Sequence, residues 1–170
     1  MTKLTVNDIR VELTTTPKEK TPDDKLGFGT VFTDHMFVMD WSSDKGWYDP
    51  RIVPYGPIPM SPALNVLHYG QSIFEGMKAY MANGEPVLFR PEQNFRRLNK
   101  SADRIALPEL DEEFALAALK KLISIDKDIE EELHSKYSKN NITGEWFKFN
   151  KEEIQEVLKD FKQTTSKSNY

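Results

Sequence analysis

The length, charge and composition of this chain already exclude several classes of protein. Its 170 residues suffice for one domain with a sizeable core plus an appendage, and a formal net charge of −4 offers no basic surface to nucleic acid. The sequence contains no cysteine and no apolar run long enough to span a membrane, which excludes disulfides, thiolate metal sites and a transmembrane helix. We therefore expect a cytoplasmic protein with neither a membrane nor a nucleic-acid partner.

The first part of the chain predicts an arm, a strand and a loop. Residues 1–24 are polar and contain Pro17 and Pro22, which indicates a flexible arm. From Gly27 to Trp41 the sequence alternates and is rich in Phe, Val, Met and Thr, as in a long strand. Residues 48–62 contain five prolines, whose fixed φ and missing N–H favour a shaped loop over a regular element.

A β-hairpin is predicted next. Two apolar segments, Phe74–Met81 and Pro86–Arg90, flank Asn83 and Gly84. An Asn-Gly pair readily takes the positive φ values that a tight type I′ turn requires, so the two segments should pair as antiparallel strands.

Two amphipathic helices should follow the hairpin. The first begins at Pro91, because proline suits the first helical position, and its buried face consists of Phe95, Leu98, Ala102 and Ile105. The second begins near Asp111, where the acids of Asp111, Glu112 and Glu113 favour a helix N-terminus, and should end or bend near residues 126–128. Its buried stripe is predicted at Leu116, Leu119, Leu122 and Ile123.

The composition changes near residue 128. All ten prolines and all six arginines precede this point. We interpret the change as a junction, after which residues 129–170 form an unrelated helical tail. In that tail, Asn150 and Glu153 have capping-box spacing, followed by the apolar stripe Ile154, Val157, Leu158 and Phe161.

Four blocks of the sequence occur in the order found in a known enzyme family. They are Phe28–Met36, Gly46–Arg51, Leu67–Tyr80, and Phe89–Pro91 with Asn94–Leu98. Together they resemble the branched-chain amino acid aminotransferases, which are fold-type IV enzymes dependent on pyridoxal 5'-phosphate (PLP). The resemblance runs from about Arg10 to Asp128, so it implies an N-terminal aminotransferase domain over residues 25–128.

The expected fold is therefore α+β. A mostly antiparallel sheet, built around Gly27–Trp41 and the hairpin of residues 74–90, would be packed by the helices that begin near Pro91 and Asp111. A small helical C-terminal appendage would follow.

The resemblance implies that Arg97 binds the phosphate of the cofactor. A guanidinium group matches phosphate oxygens in a bidentate fashion and stays charged at all working pH values. The alternative is an ordinary helix arginine that is solvated or paired with an acid such as Glu92 or Asp103.

Three aromatic residues match positions that wall the substrate side-chain pocket in the family: Phe28, Tyr69 and Phe74. A leucine, isoleucine or valine side chain needs an apolar pocket, and the Tyr69 hydroxyl would be its polar handle. The alternative is that these rings belong to an ordinary core.

No catalytic residue is expected in this chain. In the family, the lysine that carries the cofactor lies in a second domain, and Lys78 within the matched motif is not that lysine. We expect a truncated family member in which PLP, branched-chain amino acids and 2-oxo acids such as 2-oxoglutarate are implied by resemblance, with little or no transaminase activity from the chain alone.

The tail resembles the C-terminal end of GIY-YIG-like nuclease domains. Residues 130–137 and Gly144–Phe147 carry the likeness, and Glu130 would match the metal-binding carboxylate. A single carboxylate does not make a nuclease, and His35, His68 and His134 lack metal-ligand spacing, so we expect no metal site.

The alternative to an aminotransferase is a binding or interaction module, a recombination product that joins a transaminase fragment to a nuclease-like tail. A family sheet that is cut near residue 128 should expose an edge and an apolar face. We expect either self-association or a tail that covers this surface with Trp146, Phe147, Ile154 and Phe161.

Overall fold

A computed structural model of the protein describes residues 3–19, 21, 25, 27 and 29–137. It confirms the α+β class, with two small sheets packed by helices. A 3-10 turn at Val6–Asp8 precedes the main elements. These are β1 (Arg10–Val11), β2 (His35–Ser42), β3 (Gly46–Pro54), α1 (Asn65–Tyr69), β4 (Ala79–Ala82), β5 (Glu85–Leu88), α2 (Pro91–Arg104) and α3 (Glu112–Tyr137).

The described strands form two separate sheets, where the sequence suggested one. The first has the order β1-β3-β2, in which β1 runs parallel and β2 antiparallel to β3. The second is the antiparallel pair of β4 and β5. Most of the pairing is antiparallel, as predicted.

Strand β3 corrects the prediction that residues 48–62 form an irregular loop. The β2–β3 register shifts by one residue where Asp49 and Pro50 form a bulge, and Asp49 there has a φ of 48°. A bulge leaves a residue outside the ladder, so the missing N–H of Pro50 costs no hydrogen bond. Pro54 is the last residue of the strand, where proline is also tolerated.

The predicted hairpin is present but shorter than expected. Asn83 and Gly84 have φ values of 55° and 78°, which suits the type I′ turn. Pairing starts at Ala79 rather than Phe74, because β5 ends at Leu88 and offers no further partner. Similarly, β2 begins at His35 rather than at Gly27.

The main core lies between α3 and the three-stranded sheet. Ile52 of β3 is 0% exposed and clusters with Ile9, Phe114 and Ala118. Burying such apolar side chains supplies most of the free energy that favours folding. The α3 face that packs here is therefore set by Phe114 and Ala118.

Only part of the buried stripe predicted for α3 is confirmed. Leu116, Leu119 and Ile123 are half-buried, whereas Leu122, with Ile125, packs against the main core. The helix also continues for 26 residues to Tyr137 instead of ending near residues 126–128. None of the described helices is long and apolar enough to cross a membrane.

The N-terminal segment packs on the core, which differs from the expectation of a flexible arm. Ile9 is 4% exposed and Leu4 packs against the same cluster. The Lys121 ammonium group donates to the backbone oxygen of Val6 at 3.2 Å. The parallel pairing of β1 with β3 holds the segment further.

His35 ties three parts of the fold together, and its side chain is fully buried. The backbone N–H of Thr14 donates to His35 Nε2 at 2.9 Å, so that nitrogen must be the acceptor. Nδ1 then carries the proton and donates to Asp126 at 2.7 Å. One side chain thus links the N-terminal segment, β2 and α3.

Asn99 on α2 fixes the connection to α3. Its Nδ2 donates to the backbone oxygen of Leu110 at 2.9 Å, and its Oδ1 accepts from the Leu110 N–H at 2.9 Å. The Asp111 carboxylate then caps α3 by accepting from the Phe114 N–H at 3.0 Å, at the helix start that the acids of residues 111–113 predicted. The buried face of α2 thus contains Asn99 and Ala102, whereas Ile105 is exposed.

Replacing Asn99 should destabilise the protein. In Asn99→Ala both Leu110 backbone groups lose their partner, and we expect the free energy of unfolding to fall by about 1–3 kcal/mol. Lys100→Ala, at the exposed neighbouring position, is the control and should change it by less than about 0.5 kcal/mol. Urea unfolding followed by circular dichroism measures both, and equal effects would contradict this role for Asn99.

Candidate functional site

The segment between α1 and β4 lies along helix α2 and is held at two points. At the C-terminal end of α2, Gln71 Nε2 donates to the backbone oxygen of Ile105 at 2.8 Å. In the N-terminal half of the helix, Asn94 Nδ2 donates to the backbone oxygen of Gly76 at 2.9 Å. The matched block Leu67–Tyr80 is thereby fixed against the helix that carries Arg97.

An ion pair between Glu75 and Arg97 is the centre of this contact. Arg97 Nε donates to Glu75 Oε2 at 2.6 Å, and Arg97 Nη2 donates to Glu75 Oε1. The Glu75 side chain is 11% exposed, whereas that of Arg97 is 67% exposed. Glu75 Oε1 also accepts from the Gly76 N–H at 2.9 Å and from Asn94 at 3.2 Å. The carboxylate is therefore enclosed, and the guanidinium group lies at the surface.

The charges of this pair shift both pKa values. The hydrogen bond from Arg97 is the main cause that lowers the pKa of Glu75 from 4.5 to about 2, with the Gly76 N–H and Asn94 adding to it. Reciprocally, the Glu75 carboxylate raises the pKa of Arg97. Glu75 is thus ionised throughout the neutral and mildly acidic range.

The guanidinium group keeps one edge open. Glu75 takes the edge formed by Nε and Nη2, and no described residue forms a hydrogen bond with Nη1. The outer edge, formed by Nη1 and Nη2, can therefore donate two parallel hydrogen bonds to an oxyanion. This donor set suits a phosphate group.

The aromatic residues predicted to wall a substrate pocket are open to solvent. Tyr69, at the end of α1, is 84% exposed, and Phe74 is 93% exposed. Neither belongs to the core, so the alternative of ordinary core aromatics does not apply to them. Phe28 lies outside the described residues. A pocket role for the three rings stays a prediction.

The remaining candidate residues give no second site. Lys78 is exposed and lies just before β4. Among the residues that the structure describes, no group of three or more His, Asp or Glu side chains could hold a metal ion. Glu130 lies within α3, where only the backbone is described, and the tail beyond Tyr137 lies outside the described residues.

Sequence reasoning missed Glu75 as the partner of Arg97. Glu92 and Asp103 were the expected acids because they are near Arg97 on the same helix, whereas Glu75 lies 22 positions earlier in the chain. The available signal was the position of Glu75 inside the matched block, next to Gly76. Gln71 and Asn94 were missed for the same reason, since their contacts are also long-range.

Comparison with known proteins identifies relatives of the N-terminal part of the chain. It is 60% identical over 126 residues to branched-chain-amino-acid aminotransferase 2 of Bacillus subtilis, a match that covers 74% of this chain and 35% of the relative. A probable branched-chain-amino-acid aminotransferase of Staphylococcus aureus is 52% identical over 120 residues, covering 71% of this chain and 34% of the relative. The branched-chain-amino-acid aminotransferase of Mycolicibacterium smegmatis is 52% identical over 102 residues, which cover 59% of this chain and 28% of the relative.

These matches confirm the resemblance stated from the sequence blocks. No family model matches the chain. The chain spans about a third of the length of the curated relatives that it matches. The matches lie in the N-terminal 70% or so of the chain and do not address the tail.

The Glu75–Arg97 pair makes a prediction about pH. In the folded protein the Glu75 carboxyl carbon should titrate with a pKa of about 2, and in Arg97→Gln the midpoint should move towards 4.5. Because the folded pKa is depressed, the stabilisation by the pair is full above about pH 4.5 and is lost as the pH falls towards about 2. Carbon-detected NMR measures the titration.

The control for this titration is Arg96→Gln. Arg96 is also an exposed α2 arginine, but its nearest acid is Glu112 at 3.7 Å. Its replacement should leave the Glu75 midpoint unchanged. A Glu75 midpoint near 4.5 in the unmodified chain would show that the pair does not persist in solution.

Proposed function

We propose that this chain, whose N-terminal 70% or so is similar to branched-chain aminotransferases, supplies the phosphate-binding part of a PLP site. The observation that carries the proposal is the geometry of Arg97. Its side chain is fixed on one edge by Glu75 and open on the other, which leaves two N–H donors for bidentate binding of a phosphate group.

The residues present fit one part of the cofactor. Arg97 would hold the phosphate group through Nη1 and Nη2. When it is bound, PLP supplies the electron sink that allows an amino group to pass between an amino acid and a 2-oxo acid. By family, the donors would be leucine, isoleucine and valine and the acceptor 2-oxoglutarate.

The exposed aromatic rings would contribute the apolar side of the substrate site. Tyr69 and Phe74, with Phe28, would contact the branched side chain, and the Tyr69 hydroxyl would be the polar handle. Rings that are 84% and 93% exposed cannot exclude water from a ligand. We therefore propose that residues outside the described part of the chain, or a second polypeptide, complete the pocket.

No catalytic role is proposed for any described residue. Lys78 is exposed, and neither resemblance nor a contact places it at the Arg97 edge. Since the chain spans about a third of its relatives, we propose that transamination needs further residues. We also propose that the protein is located in the cytoplasm.

A second candidate function is interaction, and the exposed apolar surface favours it. Besides Tyr69 and Phe74, Leu67 is 57% and Met60 is 55% exposed, all within the segment that precedes β4. Large exposed apolar side chains in one segment are typical of interaction surfaces when they lie close together. We propose that the protein self-associates through this segment. The alternative is that residues 138–170 cover the exposed apolar side chains.

Binding of the phosphate group should depend on Arg97. Pyridoxine 5'-phosphate, which lacks the reactive aldehyde, is the probe because it cannot form adducts with lysine. Arg97→Gln should weaken its affinity about tenfold or more, because the hydrogen bonds to a charged group are lost. Arg96→Gln should leave the affinity unchanged. Pyridoxine, which lacks the phosphate group, should bind measurably neither to the unmodified chain nor to Arg97→Gln.

Isothermal titration or NMR shifts measure these affinities. Equal affinity of Arg97→Gln and the unmodified chain for pyridoxine 5'-phosphate would return Arg97 to the role of a surface residue.

Transaminase activity should be absent from the chain as given. With PLP, leucine and 2-oxoglutarate we expect glutamate formation no faster than with PLP alone, because no described residue is placed to move the proton. The control is the same assay with Lys78→Ala. Turnover above background that is lost in this variant would show that Lys78 has taken a catalytic role and would contradict the proposal.

A further inference from the structure

The guanidinium group of arginine has two edges that can each bind an oxyanion. One edge is formed by Nε and one terminal nitrogen, and the other by the two terminal nitrogens. In Arg97 the first edge is taken by Glu75, with Nε to Oε2 at 2.6 Å. Glu75 and a phosphate group can therefore bind Arg97 at the same time.

Glu75 is itself held more firmly than Arg97. Its carboxylate is 11% exposed and accepts from the Gly76 N–H at 2.9 Å and from Asn94 at 3.2 Å, in addition to Arg97. Asn94 also donates to the backbone oxygen of Gly76 at 2.9 Å, which fixes the backbone beside Glu75. Glu75 is thus a fixed support for the side chain of Arg97.

Arg97 has no other support among the described residues. Its side chain is 67% exposed, and among the described residues its guanidinium group forms hydrogen bonds with Glu75 alone. A long side chain at the surface loses rotamer freedom when it binds a ligand, and this loss weakens the affinity unless the side chain is already ordered. The contact with Glu75 provides that order before any ligand arrives.

We propose that Glu75 is a positioning residue, which orients Arg97 so that its outer edge meets the phosphate group. This inference rests on the proposed function of Arg97 and extends it. Glu75 does not touch the phosphate, and its negative charge repels it. Orientation and repulsion have opposite effects on affinity, so a variant that keeps the charge but alters the geometry isolates the orientation.

Glu75→Asp is the decisive variant. It keeps the charge but shortens the side chain by one methylene, so the carboxylate no longer spans Nε and Nη2 with the present backbone. If Glu75 positions Arg97, the affinity for inorganic phosphate should fall about three- to tenfold, since an arginine must then be ordered on binding. Unchanged or tighter binding of phosphate by Glu75→Asp would overturn the proposal.

The Arg97 Nε–H signal in an NMR spectrum gives a readout that a merely structural role would not change. It should be sharp and slow to exchange in the unmodified chain and broadened in Glu75→Asp, while the backbone spectrum elsewhere is retained. The matched control is Glu12→Asp, because Glu12 also pairs with an arginine at the surface, Arg10, at 3.5 Å. The control should leave phosphate affinity and the Arg97 signal unchanged.

Two further variants keep the test conclusive. Arg97→Gln separates the proposal that Arg97 binds phosphate from the proposal that Glu75 positions Arg97. If Arg97→Gln still binds phosphate with unchanged affinity, the proposed function of Arg97 itself has failed. Should Glu75→Asp not fold, Asn94→Ala keeps both charges and removes one support of Glu75, and it should weaken phosphate binding about twofold. Unchanged affinity in a folded Asn94→Ala protein would then overturn the role of Glu75.

Discussion

The packing of α3 on the three-stranded sheet is the contact on which the rest of the described structure depends. Phe114 and Ala118 bury themselves against Ile9 and Ile52, which draws the N-terminal segment and the central strand onto one helix face. The connection that leads into α3 is then fixed from two sides. Asn99 holds Leu110, and the indole N–H of Trp47 on β3 donates to the backbone oxygen of Glu109 at 2.8 Å. Helix α2 is thereby placed, and with it Arg97.

Features that depend on neighbouring residues could be predicted from the sequence, and those that depend on distant contacts could not. Asn83-Gly84 sets a hairpin turn, Pro91 begins α2 and the acids from Asp111 onwards mark the start of α3, because each effect acts between residues that are close in sequence. Strand β3 was missed because a proline is excluded from a ladder only where its N–H is needed, and the bulge at Pro50 removes that need. The stripe predicted for α3 did not include Phe114 and Ala118, because periodicity alone does not distinguish between neighbouring apolar faces of one helix.

The candidate site shows the same division. The resemblance of the sequence blocks to the aminotransferases singled out Arg97 and the aromatic rings by position, which composition and spacing alone could not do, and their roles stay predictions. It did not identify what holds Arg97, because a bidentate pair with Glu75 arises from the path of residues 70–78 along α2. The exposure of Tyr69 and Phe74 distinguishes them from core aromatics.

We propose that Arg97 binds a phosphate group at its outer edge while Glu75 occupies the other edge. A crystal structure of the 170-residue chain with pyridoxine 5'-phosphate tests it most directly. We expect phosphate oxygens within hydrogen-bond distance of Nη1 and Nη2, with the Glu75 carboxylate still bound to Nε. A phosphate group bound elsewhere, or one that has displaced Glu75 from Nε, would show that Arg97 does not have this role.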